Sequence, residues 1–304
     1  MDSPFFSIII PTYNRAKFIQ KTIESVLNQD FRDFELIIID NKSTDTTKQI
    51  ILSFDDARLK FFENDKNYER CYSRNKGIIC SKGRYLLFLD SDDYIESKHL
   101  SNWFEVISDS FKKHAFFISN KKIESKEGIS SGADFDLHNG FNLHFFLRNV
   151  VLPGQVCIDS SIIKKYRFNT DYLIFEDTAL WLIISKKHTP IFFNFNSYVY
   201  CLHDSNSVDW KINNYGQRRY KSLVYFKKNN PDLVELISYD SINQEISNAL
   251  FTIAKYFIFN SKILTAIFYL LRSIIFYPKG KQFKHKIFIL FNLFTPFKRN
   301  EYMK

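Results

Sequence analysis

The stretch "RYLLFLDSDDYI", residues 84–95, decides how the first part of the chain is organised. Its uninterrupted apolar run is typical of a strand that is buried on both faces of a sheet. The run ends at Asp90, and Asp92 and Asp93 follow at once. Carboxylates this close together repel one another, so their presence at a strand end calls for a cation, a ligand or a helix start nearby.

Similar apolar runs occur on both sides of this stretch and alternate with helical patterns. Strands are predicted at 6–10, 35–40, 59–63, 84–89 and 115–119, and helices near 15–28, 43–54, 70–80 and from about 97. This alternation predicts an α/β fold with a mostly parallel, doubly wound sheet flanked by helices. We expect Ser43 to cap the second of these helices. A further strand is predicted within 191–203, and the chain beyond 210 has a helical pattern.

Three of the predicted strands end in polar residues. The first is followed by "PTYN" (11–14), the second ends at Asp40, and the fourth ends at the acidic cluster. Ligands bind doubly wound sheets just beyond the carboxyl ends of the strands. We therefore expect these three groups to lie along one edge of the sheet and to form a binding site there.

Length and composition indicate one large domain, or one domain with an appendage. The chain has 304 residues and is 45% hydrophobic, which excludes wholesale disorder. Its four cysteines form no C-x-x-C pair and are typical of reduced thiols in the cytoplasm. The first residues lack the basic segment of a signal peptide, so we expect a cytoplasmic protein.

Charge is distributed unevenly between two predicted parts of the chain. Residues 210–304 hold 16 Lys and Arg against 5 Asp and Glu, whereas residues 1–209 hold 26 against 28. We predict a catalytic domain over 1–209, with halves of about 1–120 and 121–209, and a basic helical extension over 210–304. The extension is expected to meet an anionic partner.

The acidic cluster has two interpretations when it is considered alone. Paired carboxylates bind hard divalent cations such as Mg²⁺ or Mn²⁺, with phosphate oxygens completing the coordination shell. The alternative is a solvated loop whose acids favour the start of the next helix. An isolated D-x-D pattern is too short to decide between them.

A longer pattern resembles the family 2 glycosyltransferases of GT-A fold. It consists of "SIIIPTYNRAKFIQKTIESVLNQDFRDFELIIIDNKSTDTT", then "SRNKGI", then "YLLFLDSDDYI", and the resemblance extends over roughly residues 5–210. It implies an inverting transferase that uses Mn²⁺ or Mg²⁺ and moves a sugar from a nucleotide donor, a UDP-sugar, to an acceptor hydroxyl. Bacterial relatives build surface polysaccharide, lipooligosaccharide or lipid-linked oligosaccharide, so a glycan or lipid-linked acceptor is implied.

The resemblance also assigns roles to individual residues of the sheet edge. Thr12 and Tyr13 would line the uracil pocket, and Asp40 would accept a hydrogen bond from the base. Asp92 would bind the metal, and Asp93 would support the D-x-D pair. The full set of donor-binding residues that it implies is Pro11, Thr12, Tyr13, Arg15, Asp40, Arg74, Asp90 and Ser91.

The segment "FEDTALWL" (175–182) resembles the family's E-D motif. An inverting displacement needs one carboxylate within hydrogen-bond reach of the acceptor hydroxyl. The resemblance assigns this general-base role to Asp177, with Glu176 as its neighbour or orienting group. The alternative is that both acids simply begin a helix, where acids are common.

The segment "YCLHDSNSV" (200–208) resembles another family element, whose histidine approaches the metal or the diphosphate. The resemblance therefore implies His203 as a second metal-binding residue and Ser207 as a further contact. Cys201 stands where the family has arginine. A second departure lies before "SRNKGI", where Glu69 stands near the position of a family glycine and leaves the loop geometry open.

The basic extension contains a span, 246–300, without any Asp or Glu but with nine Lys and Arg and thirteen Phe and Tyr. Its longest uncharged runs, 263–271 and 287–297, are shorter than the roughly 20 residues that cross a bilayer. Such a span is typical of helices at an anionic membrane surface, here the inner face of the cell membrane. It is also compatible with a helical subdomain packed on the catalytic domain. Nucleic-acid binding is the least favoured interpretation, and we expect none.

Two other classes of protein compete with a transferase. A sugar-phosphate nucleotidyltransferase would normally have a glycine-rich loop after the first strand, and "PTYNRAKF" has no glycine. A non-catalytic membrane-binding module would not need Asp92, Asp177 and His203 together. The sequence carries no signal for the sugar, the linkage or the oligomeric state.

Overall fold

The chain divides into two compact units. The first comprises Met1–Thr170 and Leu180–His203, and the second comprises Asp171–Ala179 and Asp204–Lys304. This computed structural model describes residues 3–109, 115–132, 135, 141–203, 214–279 and 282–293. The predicted domain boundary at 209 and the predicted contact Ser207 both lie outside the described residues.

The first unit contains the strands and most of the shorter helices. Its strands are β1 (Phe6–Thr12), β2 (Phe34–Asp40), β3 (Leu59–Glu63), β4 (Tyr85–Phe88), β5 (Tyr94–Ile95), β6 (Phe116–Ser125), β7 (Gly128–Ser131), β8 (Val156–Asp159) and β9 (Ile191–Cys201). Its helices are α1 (Ile19–Leu27), α2 (Thr47–Leu52), α3 (Glu69–Cys80), α4 (His99–Ser108), α5 (Phe145–Arg148) and α6 (Ser160–Ile163). Helix α7 (Glu176–Ser185) begins in the second unit and ends in the first.

The strands described form one sheet in the order β3-β2-β1-β4-β8-β6-β9-β5, with β7 paired to β6. Strands β1 to β4 are parallel to one another, as expected. The rest of the sheet is mixed, because β8 runs antiparallel to both β4 and β6 while β6 and β9 are parallel. The α/β fold class and the helical C-terminal region are thus confirmed, and the parallel half carries the predicted edge.

Two local expectations differ from the structure. The strand predicted at 115–119 does not extend the parallel series, because β8 lies between it and β4 and was not recognised within the weak pattern of 121–175. Helix α2 begins at Thr47, after Thr46, and Ser43 does not cap it. Ser43 instead donates its hydroxyl to Asp40 at 2.5 Å, which holds it in the turn before the helix.

Burial on both faces explains why β1 and β2 have apolar sequences. All seven residues of each strand are buried. On one face, α3 lies so close to β1 that a Cβ at Gly77 would be 2.3 Å from Cγ2 of Ile9. Any larger side chain at position 77 would force α3 away from the sheet. This close packing fixes the helix that carries "SRNKGI" against the strand that ends in Thr12.

The second unit is helical where it is described. Its helices after α7 are α8 (Tyr215–Asn229), α9 (Pro231–Ile237), α10 (Tyr239–Phe259), α11 (Ile263–Phe276) and α12 (Phe283–Asn292). Helices α10, α11 and α12 share a buried apolar cluster, which includes Phe251, Ala266, Leu270 and Ile289. Among the described residues, no helix is both long enough and apolar enough to cross a membrane.

Candidate active site

The strand ends named in the sequence meet at one edge of the first unit's sheet. Thr12 of β1 lies opposite Asp40 of β2 in the parallel register. Ile9 of β1 lies opposite Phe88 of β4 in a parallel register. Asp90, two residues after Phe88, therefore lies at the same edge of the sheet. The expectation that "PTYN", Asp40 and the acidic cluster share an edge is therefore confirmed.

The β1 and β2 turns hold one another through short hydrogen bonds. Asp40 is fully buried, and its carboxylate accepts the backbone N–H of Ser43 at 3.1 Å as well as the Ser43 hydroxyl. Ser43 Oγ in turn accepts the N–H of Asn14 at 2.9 Å. A carboxylate has about four acceptor positions, so Asp40 keeps capacity for a further donor.

Residues 11–13 combine burial with an unused hydrogen-bonding group. Pro11 and Thr12 are buried in the last part of β1, and Tyr13 is exposed just beyond it. Within the described residues, the buried Thr12 Oγ1 has no hydrogen-bond partner. A buried hydroxyl without a partner costs about 1–3 kcal/mol. This cost makes Thr12 a position where a bound ligand would supply a missing contact.

Asp90 is surrounded by arginine. Nη2 of Arg74, which is almost completely buried, donates to Oδ1 of Asp90 at 2.7 Å. Burial raises the pKa of the Asp90 carboxyl, but Arg74, Arg70 and Arg15 lower it by more, so the pKa lies below its usual value. Asp90 is therefore ionised at neutral pH and is held in place by Arg74 from the middle of α3.

Asp92 contacts one residue near the beginning of the first unit and one at its end. Its Oδ2 lies 3.2 Å from Nε of Arg15 and 3.1 Å from Nε2 of His203. The His203 ring is stacked on Phe18, with the ring centroids 4.4 Å apart. The structure thus brings together Arg15, which follows β1, Asp92, which follows β4, and His203, which follows β9.

Asp93 has a different environment from its two neighbours. It is buried, and it accepts hydrogen bonds from the Tyr198 hydroxyl and, at 2.9 Å, from the N–H of Cys201. Burial raises the pKa of the Asp93 carboxyl well above its usual value, and the charges of Asp90 and Asp92 raise it further. Asp93 therefore links the acidic turn to the end of β9 and so supports the pairing of Asp92 with His203.

The Asp92 and His203 side chains fit a divalent cation whose shell is completed by a ligand. A carboxylate oxygen and an imidazole nitrogen are both acceptable donors to Mn²⁺, and their atoms here are hydrogen-bond distance apart. The described residues contain no cluster of three or more His, Cys, Asp or Glu that could hold a metal alone. A metal at this position would thus depend on oxygens from a bound phosphate.

The loop before α3 keeps a glycine-like backbone although it lacks the glycine. Glu69 has φ of 71°, in the left-handed region that glycine adopts without cost. Glu69 in place of the family glycine therefore changes the side chain but not the backbone conformation, because the loop keeps the left-handed bend that a glycine would permit. Glu69 is exposed, and its N–H donates to Asn67 Oδ1 at 3.0 Å.

Strained backbone is concentrated next to the segments that carry the sequence motifs. Four of the six non-glycine residues with positive φ that the structure describes are Asn14, Lys42, Glu69 and Phe175. They follow β1, follow β2, begin α3 and precede α7, respectively. Such conformations cost about 1–3 kcal/mol each and are typical of binding and catalytic sites. The strain therefore marks the same segments as the sequence motifs.

Replacing Glu69 with glycine should stabilise the protein slightly and leave nucleotide binding unchanged. Relief of the left-handed strain contributes about 1–2 kcal/mol, and the greater freedom of glycine in the unfolded chain offsets about 0.5–1 kcal/mol of it. We expect the melting temperature to rise by about 1–3 °C. A lower melting temperature, or weaker binding of UDP in a calorimetric titration, would mean that the Glu69 side chain itself takes part in the site.

The E-D motif lies at the start of α7 in the second unit. Glu176 is buried and Asp177 is partly exposed, at the first two positions of the helix. The preceding segment is anchored on α8: Ser222 Oγ accepts the N–H of Leu173 at 3.1 Å, and the Phe175 ring packs on Phe226 with centroids 5.6 Å apart. The packing holds the backbone of Phe175 at its positive φ of 79° and so fixes where the two acids project.

Sequence reasoning missed several residues of the site. Arg70 contributes positive charge at Asp90, Phe18 supports the ring of His203, and Tyr198 holds Asp93. Phe18, just before α1, and Tyr198, in β9, have ordinary core-type sequence patterns, so their sequence context gave no signal. Arg70 lies four residues before Arg74, one helical turn away, and this spacing was available in the sequence.

A GalNAc(5)-diNAcBac-PP-undecaprenol beta-1,3-glucosyltransferase from Campylobacter jejuni is 33% identical over 193 residues, which are 60% of this chain and 60% of that protein. The match therefore spans less than two thirds of that relative's length.

Two solved structures are similar in fold over nearly the whole chain. TarS 1-349 of S. aureus in complex with UDP-GlcNAc has a TM-score of 0.61 at 19% identity, covering 91% of this chain and 82% of that one. The mannosyltransferase PcManGT of Pyrobaculum calidifontis, in complex with GDP-Man and Mn²⁺, has a TM-score of 0.61 at 15% identity, covering 99% and 84%. At these identities the similarity identifies the fold, which is the GT-A fold.

The family model described as "Glycosyl transferase family 2" matches residues 7–168. The matched region runs from β1 through β8 and includes the whole edge formed by Thr12, Asp40, Asp90 and Asp92. Because the model matches more than half of the chain, this protein belongs to glycosyl transferase family 2.

Proposed function

We propose that this protein is an inverting, metal-dependent glycosyltransferase that moves a sugar from a UDP-sugar to a hydroxyl group of a glycan or lipid-linked acceptor. The observation that carries the proposal is the meeting of Asp92 with Arg15 and His203 beside the Asp90–Arg74 pair. In a family 2 chain, this combination of carboxylates, arginines and an imidazole suits a nucleoside diphosphate and its cation.

The nucleoside would be recognised by the turns after β1 and β2. The unpartnered hydroxyl of Thr12 would gain a hydrogen bond, and the exposed ring of Tyr13 offers a face for the base. Asp40, which the Ser43 turn fixes in orientation, would accept the N–H of uracil. Asp90, oriented by Arg74, would contact the ribose or the sugar, with Pro11 and Ser91 shaping the walls.

The diphosphate would lie near Arg15 and Arg74, whose guanidinium groups can each donate two parallel hydrogen bonds to phosphate. Asp92 and His203 would hold Mn²⁺ or Mg²⁺. When it is bound, the cation neutralises charge on the departing nucleoside diphosphate. The presence of Mn²⁺ in the PcManGT complex supports a divalent metal. Asp93 would position both ligands through Tyr198 and the end of β9.

Asp177 would act as the general base of the transfer. In an inverting displacement, the acceptor hydroxyl attacks the anomeric carbon from the face opposite the leaving group, and its proton passes to a carboxylate oxygen. Asp177 is partly exposed and lies on a backbone that α8 anchors, which suits a carboxylate that must reach solvent-borne hydroxyls. Glu176, buried beside it, would orient the motif.

The names of a relative and of a structural neighbour support a proposal for the acceptor and the donor sugar. The Campylobacter jejuni protein is named for glucose transfer onto an undecaprenol-linked glycan, and TarS was solved with UDP-GlcNAc. We propose a hexosyl- or N-acetylhexosaminyltransferase of surface-polysaccharide biosynthesis that works peripherally at the cytoplasmic face of the cell membrane. The net charge of residues 210–304 is consistent with an anionic surface there.

A panel of nucleotide sugars tests this function. We expect UDP-glucose or UDP-GlcNAc to raise the melting temperature in Mn²⁺ and to be hydrolysed slowly to UDP, with little effect when a chelator replaces the metal. Formation of pyrophosphate from a nucleoside triphosphate and a sugar phosphate would instead identify a nucleotidyltransferase. Binding of no nucleotide by the full-length protein would leave a non-catalytic module.

A further inference from the structure

Helix α11 carries a row of exposed apolar side chains. Leu264, Phe268, Leu271 and Ile275 are 82%, 55%, 40% and 77% exposed. Their spacing of four, three and four residues puts them on one side of the helix. Single exposed apolar residues are ordinary, but four in one row are typical of a surface that meets an apolar partner. We call this row the α11 face.

The opposite side of the same helix accounts for the unit's own packing. Ala266, Leu270 and Ser273 are buried against α10 and α12. Ser273 Oγ donates to the carbonyl of Ser247 in α10 at 2.7 Å, so even the polar residue on this side is satisfied. The core of the helical unit is therefore complete without the α11 face.

Helix α12 repeats the same arrangement. Phe288 and Phe291 are 49% and 77% exposed, whereas Ile289 is buried in the cluster shared with α11. Lys286 is also on the buried side, where its ammonium donates to Ser247 Oγ at 2.7 Å and burial lowers its pKa to about 8. Helix α12 thus exposes two phenylalanine rings while it buries a lysine. This arrangement favours an apolar partner outside the unit.

The chain segment that carries the α11 face has charges of one sign. Residues 246–300 contain no Asp or Glu, and Lys262, Arg272 and Lys284 are exposed among the apolar residues. The Arg272 guanidinium lies 5.5 Å from the Phe268 ring and donates to the Tyr220 hydroxyl at 3.0 Å, which keeps it beside the row. Apolar side chains among basic ones are complementary to a bilayer with anionic headgroups, because the rings enter the acyl boundary while the cations meet phosphate.

We propose that the α11 face, together with the exposed Phe288 and Phe291 of α12, is the surface by which the protein docks on an anionic lipid bilayer. The proposal deepens the proposed function, since a lipid-linked acceptor gives the enzyme a reason to work at a membrane. The helices lie in the interface and do not span it. A second copy of the chain is a less suitable occupant, because the exposed cations Lys262 and Arg272 beside the row would meet the same cations of the other copy.

Vesicle co-sedimentation of the full-length protein tests the proposal. Vesicles of phosphatidylglycerol and phosphatidylcholine, roughly one to two, serve as the probe, with pure phosphatidylcholine for comparison. We expect the double variant Leu264→Glu, Ile275→Glu to bind the anionic vesicles at least about tenfold more weakly than the wild type, because two exposed anchors are replaced by charges. High salt should weaken the wild type's binding only in part, since its apolar contribution is not screened.

Leu236→Glu is the matched control, because Leu236 is 59% exposed on α9 of the same unit and lies outside the row. It should bind vesicles like the wild type, and both variants should keep the wild-type melting temperature within about 2 °C because exposed positions tolerate substitution. Equal binding by the wild type and the double variant would overturn the proposal. The proposal would also be overturned if the wild type bound no vesicles and formed a dimer that dissociates in the double variant.

Transfer from the UDP-sugar to a water-soluble acceptor analogue separates this proposal from the proposed function. The double variant should retain that transfer while it loses vesicle binding. Vesicle binding without any transfer by the wild type would contradict the enzymatic function and leave the docking surface intact. Transfer by the wild type, combined with vesicle binding that the double substitution does not weaken, would support the enzymatic function and contradict the docking surface.

Discussion

Replacing Asp92 with alanine should abolish Mn²⁺-dependent binding of the UDP-sugar while the chain remains folded. The substitution removes the carboxylate that is proposed to hold the cation together with His203, whose Nε2 lies 3.1 Å from it. Loss of groups that merely orient metal ligands already lowers metal affinity about 10- to 100-fold. We therefore expect the loss of a ligand itself to be at least about 100-fold, measured by titrating Mn²⁺ into the protein with UDP.

The position of Asp92 explains why the fold should survive. It follows the strand β4 and lies outside the apolar cluster that packs α1 and α4 on the sheet. Arg15, its other partner, is partly exposed and also donates to the carbonyl of Asn14, so solvent and that contact can satisfy it. We expect a cost of about 1–2 kcal/mol to stability.

Asp55→Ala is the matched control for this experiment. Asp55 is an exposed acid just before β3, at the opposite end of that strand from the site edge. It should leave both metal and nucleotide affinity unchanged. Undiminished affinity of Asp92→Ala for UDP in Mn²⁺ would refute the assignment of Asp92 and would direct the search for the metal ligand to Asp90.

Much of the first unit could be predicted because buried parallel strands have a local signature. Each of β1, β2 and β4 is an apolar run, and the carboxyl ends of parallel strands must share an edge, so local patterns sufficed to bring Thr12, Asp40 and Asp90 together. No local pattern sets the order of strands in the other half. Strand β8 has only four residues, and its insertion between β4 and β6 follows from packing over more than 60 residues of separation.

Backbone strain and long-range contacts were the other features that the sequence did not reveal. A positive φ is expected at glycine, so Phe175 gave no signal, and at Glu69 the only signal was the glycine that the family has near this position. The Asp93–Tyr198 contact joins residues 105 positions apart, and only the fold brings them together. The motif residues were therefore predictable, whereas the residues that hold them in position were not.

Replacing Asp177 with asparagine should retain donor binding and slow transfer by at least about 100-fold, the typical contribution of a positioned general base. Asparagine has nearly the same shape as aspartate, but its amide cannot accept the proton of the acceptor hydroxyl. The loss should therefore fall on kcat, measured in single turnovers at saturating UDP-sugar, while the affinity for UDP stays within about twofold of the wild type.

Asp171→Asn provides the matched control for Asp177→Asn, because Asp171 lies in the same anchored segment and accepts the Tyr225 hydroxyl at 2.6 Å. It removes the same charge from the same unit without touching the E-D motif, so we expect transfer within a few-fold of the wild type. Melting curves should separate chemistry from stability, since an acid in a first helical turn contributes only about 0.3–1 kcal/mol. Near-wild-type turnover by Asp177→Asn would exclude Asp177 as the base. The simple interpretation, in which Glu176 and Asp177 only begin α7, would then stand.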